Sequence, residues 1–205
     1  MIREVMSAMV TRLGHQAVCV GDGAGALELA LEASAGADEF DLVLLDLELP
    51  DRPGTEVAQA LREQGMTAPV YGISGHDGVT ERCREAGMAG NIRKPVRMDA
   101  VEAVLGVARA HRELGDDELV RVVIEGLRAE LPTLLDAAER TDDVVELRRL
   151  AHTMRGALRY VDAPAARAAA ARLEESAKQD EFEPEALADL RKAVDRLIPS
   201  LAELL

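Results

Sequence analysis

Aromatic residues and long hydrophobic runs are scarce in this chain. Phe, Trp and Tyr together make up 2% of the 205 residues, and there is no Trp. The cores must therefore be built from aliphatic side chains, which a hydrophobic content of 48% supplies in sufficient number. No apolar run approaches the roughly 18–20 residues that cross a bilayer, so the sequence predicts no membrane segment.

Basic residues and cysteines are also few. The chain has 24 Lys and Arg against 38 Asp and Glu, and the resulting net charge of −14 argues against binding to nucleic acid or to anionic membranes. Cys19 and Cys83 have no metal-ligand spacing, so we expect free thiols in a reducing compartment. The N-terminus has no signal-peptide pattern. These absences together predict a soluble cytoplasmic protein.

Residues 1–111 alternate between strand and helix patterns. Short apolar runs predict strands at 17–20, 42–45, 69–73 and 91–92. Helical spacing predicts helices at 2–13, 27–35, 55–64, 79–86 and 98–111. Four of these helices are followed by a glycine, namely Gly14, Gly36, Gly65 and Gly87. Strands that alternate with helices through short loops predict a parallel sheet covered on both faces.

Residues 112–205 have no strand pattern, and four apolar stripes predict an antiparallel four-helix bundle. The first helix is expected to follow an N-cap at Asp116 and to kink at Pro132. Its predicted buried stripe consists of Leu119, Val122, Val123, Leu127, Leu131 and Leu134. The other helices are expected at about 143–161, 164–177 and 184–201.

Three polar side chains follow predicted strands of the first part. Asp46 comes after 42–45, Ser74 after 69–73, and Lys94 shortly after 91–92. Ligands of open parallel α/β sheets bind at the carboxyl ends of the strands. A carboxylate can attack phosphorus, while an ammonium and a hydroxyl can bind the phosphoryl oxygens. These residue types together predict phosphoryl transfer.

The motifs around these residues resemble those of a known protein family. Residues 44–50 read Leu-Leu-Asp-Leu-Glu-Leu-Pro, with Gly54 eight residues after Asp46, and residues 87–95 read Gly-Met-Ala-Gly-Asn-Ile-Arg-Lys-Pro. With Ile73-Ser74-Gly75-His76, they make the first part resemble a response-regulator receiver domain, which is a flavodoxin-like, doubly wound α/β fold.

The resemblance implies specific roles. Asp46 is expected to be the phospho-acceptor, Ser74 the switch hydroxyl and Lys94 the lysine that pairs with the phosphoryl group. The Lys94–Pro95 bond is expected to be cis. Mg²⁺ is expected as the cofactor, with Asp46 and the backbone carbonyl of Glu48 among its ligands.

The beginning of the chain departs from the receiver pattern. Receivers begin with a strand that ends in two adjacent acidic residues, which hold Mg²⁺, whereas residues 1–5 here match the following helix. The Mg²⁺ site is therefore expected to be incomplete. Two sheet edges are expected to lack a partner unless the neighbouring strands close up or another chain fills the gap. We hypothesise a truncated or mis-started receiver, with evolutionary loss of activity as the alternative.

His152 is the candidate site of the second part. Helical spacing places it on one face with three basic residues, Arg148, Arg155 and Arg159. An exposed imidazole nitrogen can accept a phosphoryl group, and an arginine can bind phosphoryl oxygens in a bidentate way. Gly156, one turn after His152, removes a side chain that would obstruct a docking partner. The alternative is an ordinary surface histidine.

Residues 151–156 read Ala-His-Thr-Met-Arg-Gly, and this segment resembles that of a histidine phosphotransfer (Hpt) domain. The two resemblances imply a phosphorelay component like the C-terminal end of a hybrid sensor kinase. A kinase would phosphorylate Asp46, and His152 would then pass the group to the aspartate of a separate response regulator. The chain has no kinase ATP-binding motif. The alternative is a degenerate receiver that acts as a binding scaffold, with only His152 active.

Overall fold

The computed structural model describes residues 2–35, 40–161, 163–202 and 204. The pattern of contacts between residues divides the chain into two compact units, Met1–Val104 and Leu105–Glu203. The division falls inside a continuous helix, Met98–Leu114. The boundary between residues 111 and 112 therefore stays a prediction. Gly36, which was expected to end the second helix, lies outside the described residues.

The first unit contains three described strands and the helices that connect them. In chain order its elements are α1 (Ile2–Arg12), α2 (Gly23–Ala35), β1 (Val43–Asp46), α3 (Gly54–Glu63), β2 (Val70–Ser74), α4 (Thr80–Glu85) and β3 (Gly90–Arg93). The next helix, α5 (Met98–Leu114), contains the division between the two units. The strands are parallel in the order β1-β2-β3, so the predicted parallel α/β fold is confirmed. Leu45, Val57 and Val70 belong to the apolar core of this unit.

The predicted strand at residues 17–20 is wrong. Residues 15–20 form no regular secondary structure, and the side chain of Val18 is 65% exposed. A strand needs a neighbour that accepts and donates its backbone hydrogen bonds, and none of the described strands lies beside this segment. β1 is therefore an edge strand among the described residues.

The second unit contains four long helices: α6 (Asp117–Arg140), α7 (Val144–Ala157), α8 (Pro164–Lys178) and α9 (Pro184–Ala202). α7 packs on α8, α8 on α9, and α6 on both α7 and α9, so the four helices close a bundle as predicted. The Asp116 carboxylate accepts a hydrogen bond from Leu119 N at 2.9 Å, which confirms the predicted N-cap.

Two predictions about the helices of the bundle need correction. Leu127 and Leu131 of the predicted stripe are buried. Leu119 and Val122 are more than half exposed, because α6 buries a partly different stripe. That stripe is Val120, Ile124, Leu127, Leu131, Leu135 and Ala138. It has uninterrupted spacings of three and four residues, and it can therefore face one core along the whole helix. In addition, α7 ends at Ala157 rather than at residue 161, so Arg159 lies beyond the helix.

Candidate functional site

The carboxyl ends of the three strands bring Asp46, Ser74 and Lys94 together. Asp46 ends β1, Ser74 ends β2, and Lys94 directly follows β3. Lys94 N donates a hydrogen bond to the Ser74 carbonyl at 2.7 Å, which extends the pairing of β2 with β3. The Lys94–Pro95 bond is cis, as expected. The parallel register thus places the three predicted residues at one edge of the sheet.

Asp46 is held by charge and by the backbone. Lys94 Nζ lies 2.7 Å from Asp46 Oδ2, and both side chains are 24% exposed. Asp46 Oδ1 accepts a hydrogen bond from Glu48 N at 3.0 Å. Ser74 is buried, and its Oγ accepts a hydrogen bond from His76 N at 3.0 Å, so its hydroxyl proton is not used in that bond. The described residues thus offer a partly exposed carboxylate with one cation beside it.

Gly54 keeps the next helix close to this site. A Cβ atom at this position would lie 2.2 Å from the Asp46 carbonyl oxygen, and Gly54 N donates a hydrogen bond to Leu47 O. Only glycine permits this approach of two backbone segments. The spacing of eight residues between Asp46 and Gly54 thus has a steric cause.

The neighbouring carboxylates are turned towards other partners. The Glu48 side chain pairs with His76 Nδ1 at 3.4 Å, and Asp22 caps Gly25 N at 2.8 Å. Asp51 accepts hydrogen bonds from Gly23 N and Ala24 N at the start of α2. These bonds lower the pKa of Asp51, and the bond from Gly23 has the largest effect. Among the described residues, no group of three or more His, Cys, Asp and Glu side chains could hold a metal ion.

His152 stands on the surface of the bundle, on α7. Its side chain is 68% exposed, and its Nδ1 lies 3.2 Å from Glu174 Oε1 on α8. Beneath it, the buried residues of α7 include Leu150, Ala151 and Met154. One face of the helix therefore anchors it in the core, while the imidazole faces solvent.

The basic neighbours of His152 are partly paired with acids. Arg155 Nε lies 2.9 Å from Glu174 Oε2, and Arg148 is close enough to Glu175 to contribute to the lowered pKa of that carboxyl, after Lys178. Arg159 lies outside α7, so the predicted basic face is one residue shorter than expected. A Cβ atom at Gly156 would meet no atom within 4 Å, so the surface beside His152 is open.

Two residues of this site were missed in the sequence analysis. Glu174 is only 6% exposed, and Lys178, one turn later on α8, lies 3.7 Å from Glu174 Oε1. The helical pattern could have indicated Glu174, because this residue lies on the buried side of α8 beside Leu173 and Ala177. A carboxylate at a core position needs a partner, and its identity depends on the packing of α8 against α7.

Family comparisons agree with both parts of this description. Residues 1–105 match the family described as response regulator receiver domain, and residues 118–199 match the Hpt domain. The chain belongs to the response regulator receiver family, with an Hpt domain after the receiver. It functions in two-component phosphorelay signalling.

Curated relatives of this receiver–Hpt chain include sensor kinases. It is 32% identical over 107 residues to the sensor histidine kinase RcsC of Salmonella typhi, which covers 51% of this chain and 11% of RcsC. It is 28% identical over 182 residues to the sensor histidine kinase AruS of Pseudomonas aeruginosa, which covers 75% of this chain and 18% of AruS. The chain thus spans less than a fifth of these two relatives.

A solved receiver structure is also similar. It is the receiver domain of the sensor histidine kinase PA1611 from Pseudomonas aeruginosa, described with a magnesium ion in its active site cleft. The identity is 26% and the TM-score 0.44, and the match covers 55% of this chain and 88% of that one.

Proposed function

We propose that this chain carries a phosphoryl group from Asp46 to His152 and from His152 to the aspartate of a separate response regulator. The observation that carries the proposal is the exposed imidazole of His152, which stands beside a buried carboxylate on a surface left open by Gly156. An imidazole packed into the bundle could not meet a partner protein. We also propose a sensor histidine kinase as the donor to Asp46.

At Asp46, a carboxylate oxygen attacks the phosphorus of a phosphohistidine. The new O–P bond forms as the N–P bond breaks, and the electron pair leaves on the imidazole nitrogen. Lys94 lies where it can balance the charge of the phosphoryl oxygens, and the Ser74 hydroxyl can donate a hydrogen bond to one of them. The 2.7 Å ion pair between Lys94 and Asp46 supports these roles.

The Mg²⁺ ion that receivers bind fits this site only in part. Asp46 and the backbone carbonyl of Glu48 would be two of its ligands, and the ion would neutralise phosphoryl charge. The described residues alone do not complete an octahedral set, because Glu48, Asp22 and Asp51 direct their side chains elsewhere. In the described residues, the charge at Asp46 is therefore balanced by Lys94.

At His152, we propose that Nε2 is the accepting atom, because Nδ1 faces Glu174. Arg155 and Gly156 adjoin the imidazole, and we propose Arg155 as the cation for the phosphoryl oxygens. Arg148 and Arg159 are proposed to contact the partner receiver, whose acidic mouth complements basic side chains. We assign no role in nucleic-acid binding to this acidic chain.

The rival function is a scaffold in which only His152 is chemically active. The edge position of β1 and the incomplete set of Mg²⁺ ligands, both among the described residues, favour it. Incubation of the full chain with acetyl [³²P]phosphate and Mg²⁺ separates the two functions. We expect acid-stable, alkali-labile label on Asp46, which Asp46→Asn removes and His152→Gln retains. If only His152 is labelled, and only by a phosphorylated receiver, the relay is wrong and the scaffold stands.

We propose a cytoplasmic location for this chemistry. Cys19 and Cys83 are free thiols in the structure, as in a reducing compartment. In the part of the chain that the structure describes, no helix is both long and apolar enough to span a bilayer.

A further inference from the structure

We infer that Val145 on α7 is a docking residue for the receiver that exchanges a phosphoryl group with His152, and that this partner presents an apolar side chain opposite it. The inference rests on the proposed function of His152 and names a feature of its partner. What points to it is an aliphatic side chain that is 74% exposed and lies seven residues before the imidazole on the same helix.

The spacing along α7 places Val145 on the side of the helix that carries His152. Seven residues of an α-helix turn through about 700°, which is about 20° short of two full turns, so the two side chains leave the helix in nearly the same direction. Their Cα atoms are about 10.5 Å apart along the helix axis. Arg148, which is also exposed, stands between them.

A partner that docks on His152 covers Val145 as well. A standard protein–protein interface buries about 800 Å² on each partner, which corresponds to a disc with a radius of about 16 Å. Phosphoryl transfer between two side chains excludes water from the reacting groups, so the imidazole lies towards the centre of this disc. A separation of about 10.5 Å then places Val145 inside the covered surface.

The surroundings of Val145 favour an apolar partner surface. The adjacent Glu146 pairs with Arg149 at 2.6 Å, so these two charges neutralise each other. The turn between α8 and α9 lies at the same end of the bundle as the start of α7, and it carries Phe182, which is 52% exposed. A polar partner group would lose its hydration against Val145 without gaining a hydrogen bond. An apolar group gains the free energy of burial.

The fold makes little use of the Val145 side chain. The start of α7 is fixed by the backbone N–H of Val145, which donates a hydrogen bond to the Asp143 carboxylate at 2.9 Å. The buried residues that anchor α7 include Leu147, Leu150 and Met154. Substitution of the Val145 side chain therefore leaves both the N-cap and the core in place.

The inference is tested by phosphoryl transfer to the full chain. The probe is the receiver that, among the response regulators of the source organism, labels His152 fastest after loading with acetyl [³²P]phosphate. The O–P bond of its acyl phosphate breaks with the electron pair on the carboxylate, and an N–P bond forms at the imidazole. We expect Val145→Ala to raise KM for this receiver by roughly three- to tenfold and to leave kcat within about twofold, because the contact is the same before and during transfer.

Further variants and a second donor separate docking from chemistry. Val145→Thr keeps the shape of the side chain and adds a hydroxyl, so it should also raise KM. Lys192→Ala is the control, since Lys192 is exposed on α9, which packs on α6 and α8 and lies diagonally across the bundle from α7. We expect it to change KM less than about twofold. Direct labelling of His152 by [³²P]phosphoramidate, which is too small to reach Val145, should be equal in wild type and Val145→Ala.

The outcomes separate this inference from the proposed function. An unchanged KM in both Val145 variants, with a wild type that the receiver labels at His152, overturns the inference alone. A fall in kcat or in phosphoramidate labelling without a rise in KM also overturns it, since Val145 would then affect the chemistry and not the docking. A wild type that no phosphorylated receiver labels at His152 contradicts the proposed function itself.

Discussion

Lys94 Nζ lies 2.7 Å from Asp46 Oδ2 although their strands, β3 and β1, are not neighbours in the sheet. The ion pair therefore spans the position of β2, the strand that ends at Ser74. The ammonium thus stands where negative charge would increase on phosphorylation of Asp46, and it is the cation that the described residues supply there.

Removal of this cation is predicted to slow phosphorylation of Asp46. In Lys94→Ala we expect labelling by acetyl phosphate to fall by about 100-fold, because one preorganised charge in such a site contributes on this order. Arg93→Ala is the control, since Arg93 pairs with Asp77 at 2.7 Å and not with Asp46. Equal losses in the two variants would contradict the role of Lys94.

Gly54 is predicted to be intolerant of any side chain. Gly54→Ala places a Cβ atom 2.2 Å from the Asp46 carbonyl oxygen, so the start of α3 must move. We expect a loss of roughly 1–3 kcal/mol in the free energy of unfolding of the first unit, measured in urea. An unchanged midpoint would show that the two segments separate easily.

Gly126 provides the opposite case, within α6. A Cβ atom at this position meets no atom within 4 Å, so Gly126→Ala should gain helix propensity without a clash. We expect the free energy of unfolding of the bundle to rise by about 0.5–1 kcal/mol. A lower free energy of unfolding, measured by urea denaturation, would indicate a steric constraint that the structure does not show.

Asp51 is predicted to make the first unit sensitive to acid. Backbone hydrogen bonds from Gly23 and Ala24 lower the pKa of Asp51 in the folded state. A lowered folded pKa stabilises the protein above the unfolded pKa of about 4, and this contribution is lost as the pH falls through the folded value. Asp51→Asn should therefore lower the urea midpoint at pH 7 and change it less at pH 2–3. Glu63→Gln, at an exposed position of α3, serves as the control.

Arg191 is predicted to stabilise the bundle by joining α9 to α6. Its guanidinium lies 2.6 Å from Asp136 and 2.8 Å from Glu139, and hydrogen bonds to Glu139 raise its pKa. We expect Arg191→Ala to reduce the free energy of unfolding by roughly 1–2 kcal/mol. Arg149→Ala, which removes an exposed pair within one helix, should lose less than about 0.5 kcal/mol. Similar losses in both would contradict the prediction.

The strands and helices of this chain could be predicted where the hydrophobic pattern has one interpretation. The helices α7 and α9 begin close to their predicted first residues, 143 and 184, and each buries a single apolar face. In α6, adjacent apolar residues at 119 and 120 allow two stripes, and packing selects the second. Residues 17–20 have the composition of a strand but lack a neighbour, so composition alone predicts them incorrectly.

The sequence by itself determined the chemistry available to this protein: an aspartate, a serine and a lysine after successive strands, and a histidine with a glycine one turn later. These residues can be located from the sequence because the end of an apolar run and the spacing of one helical turn are local patterns. Only the tertiary structure decided which groups meet. Glu174 reaches His152, and Asp51 reaches the start of α2, through contacts between segments that are more than 20 residues apart. Such contacts depend on how elements pack, and no local pattern specifies them.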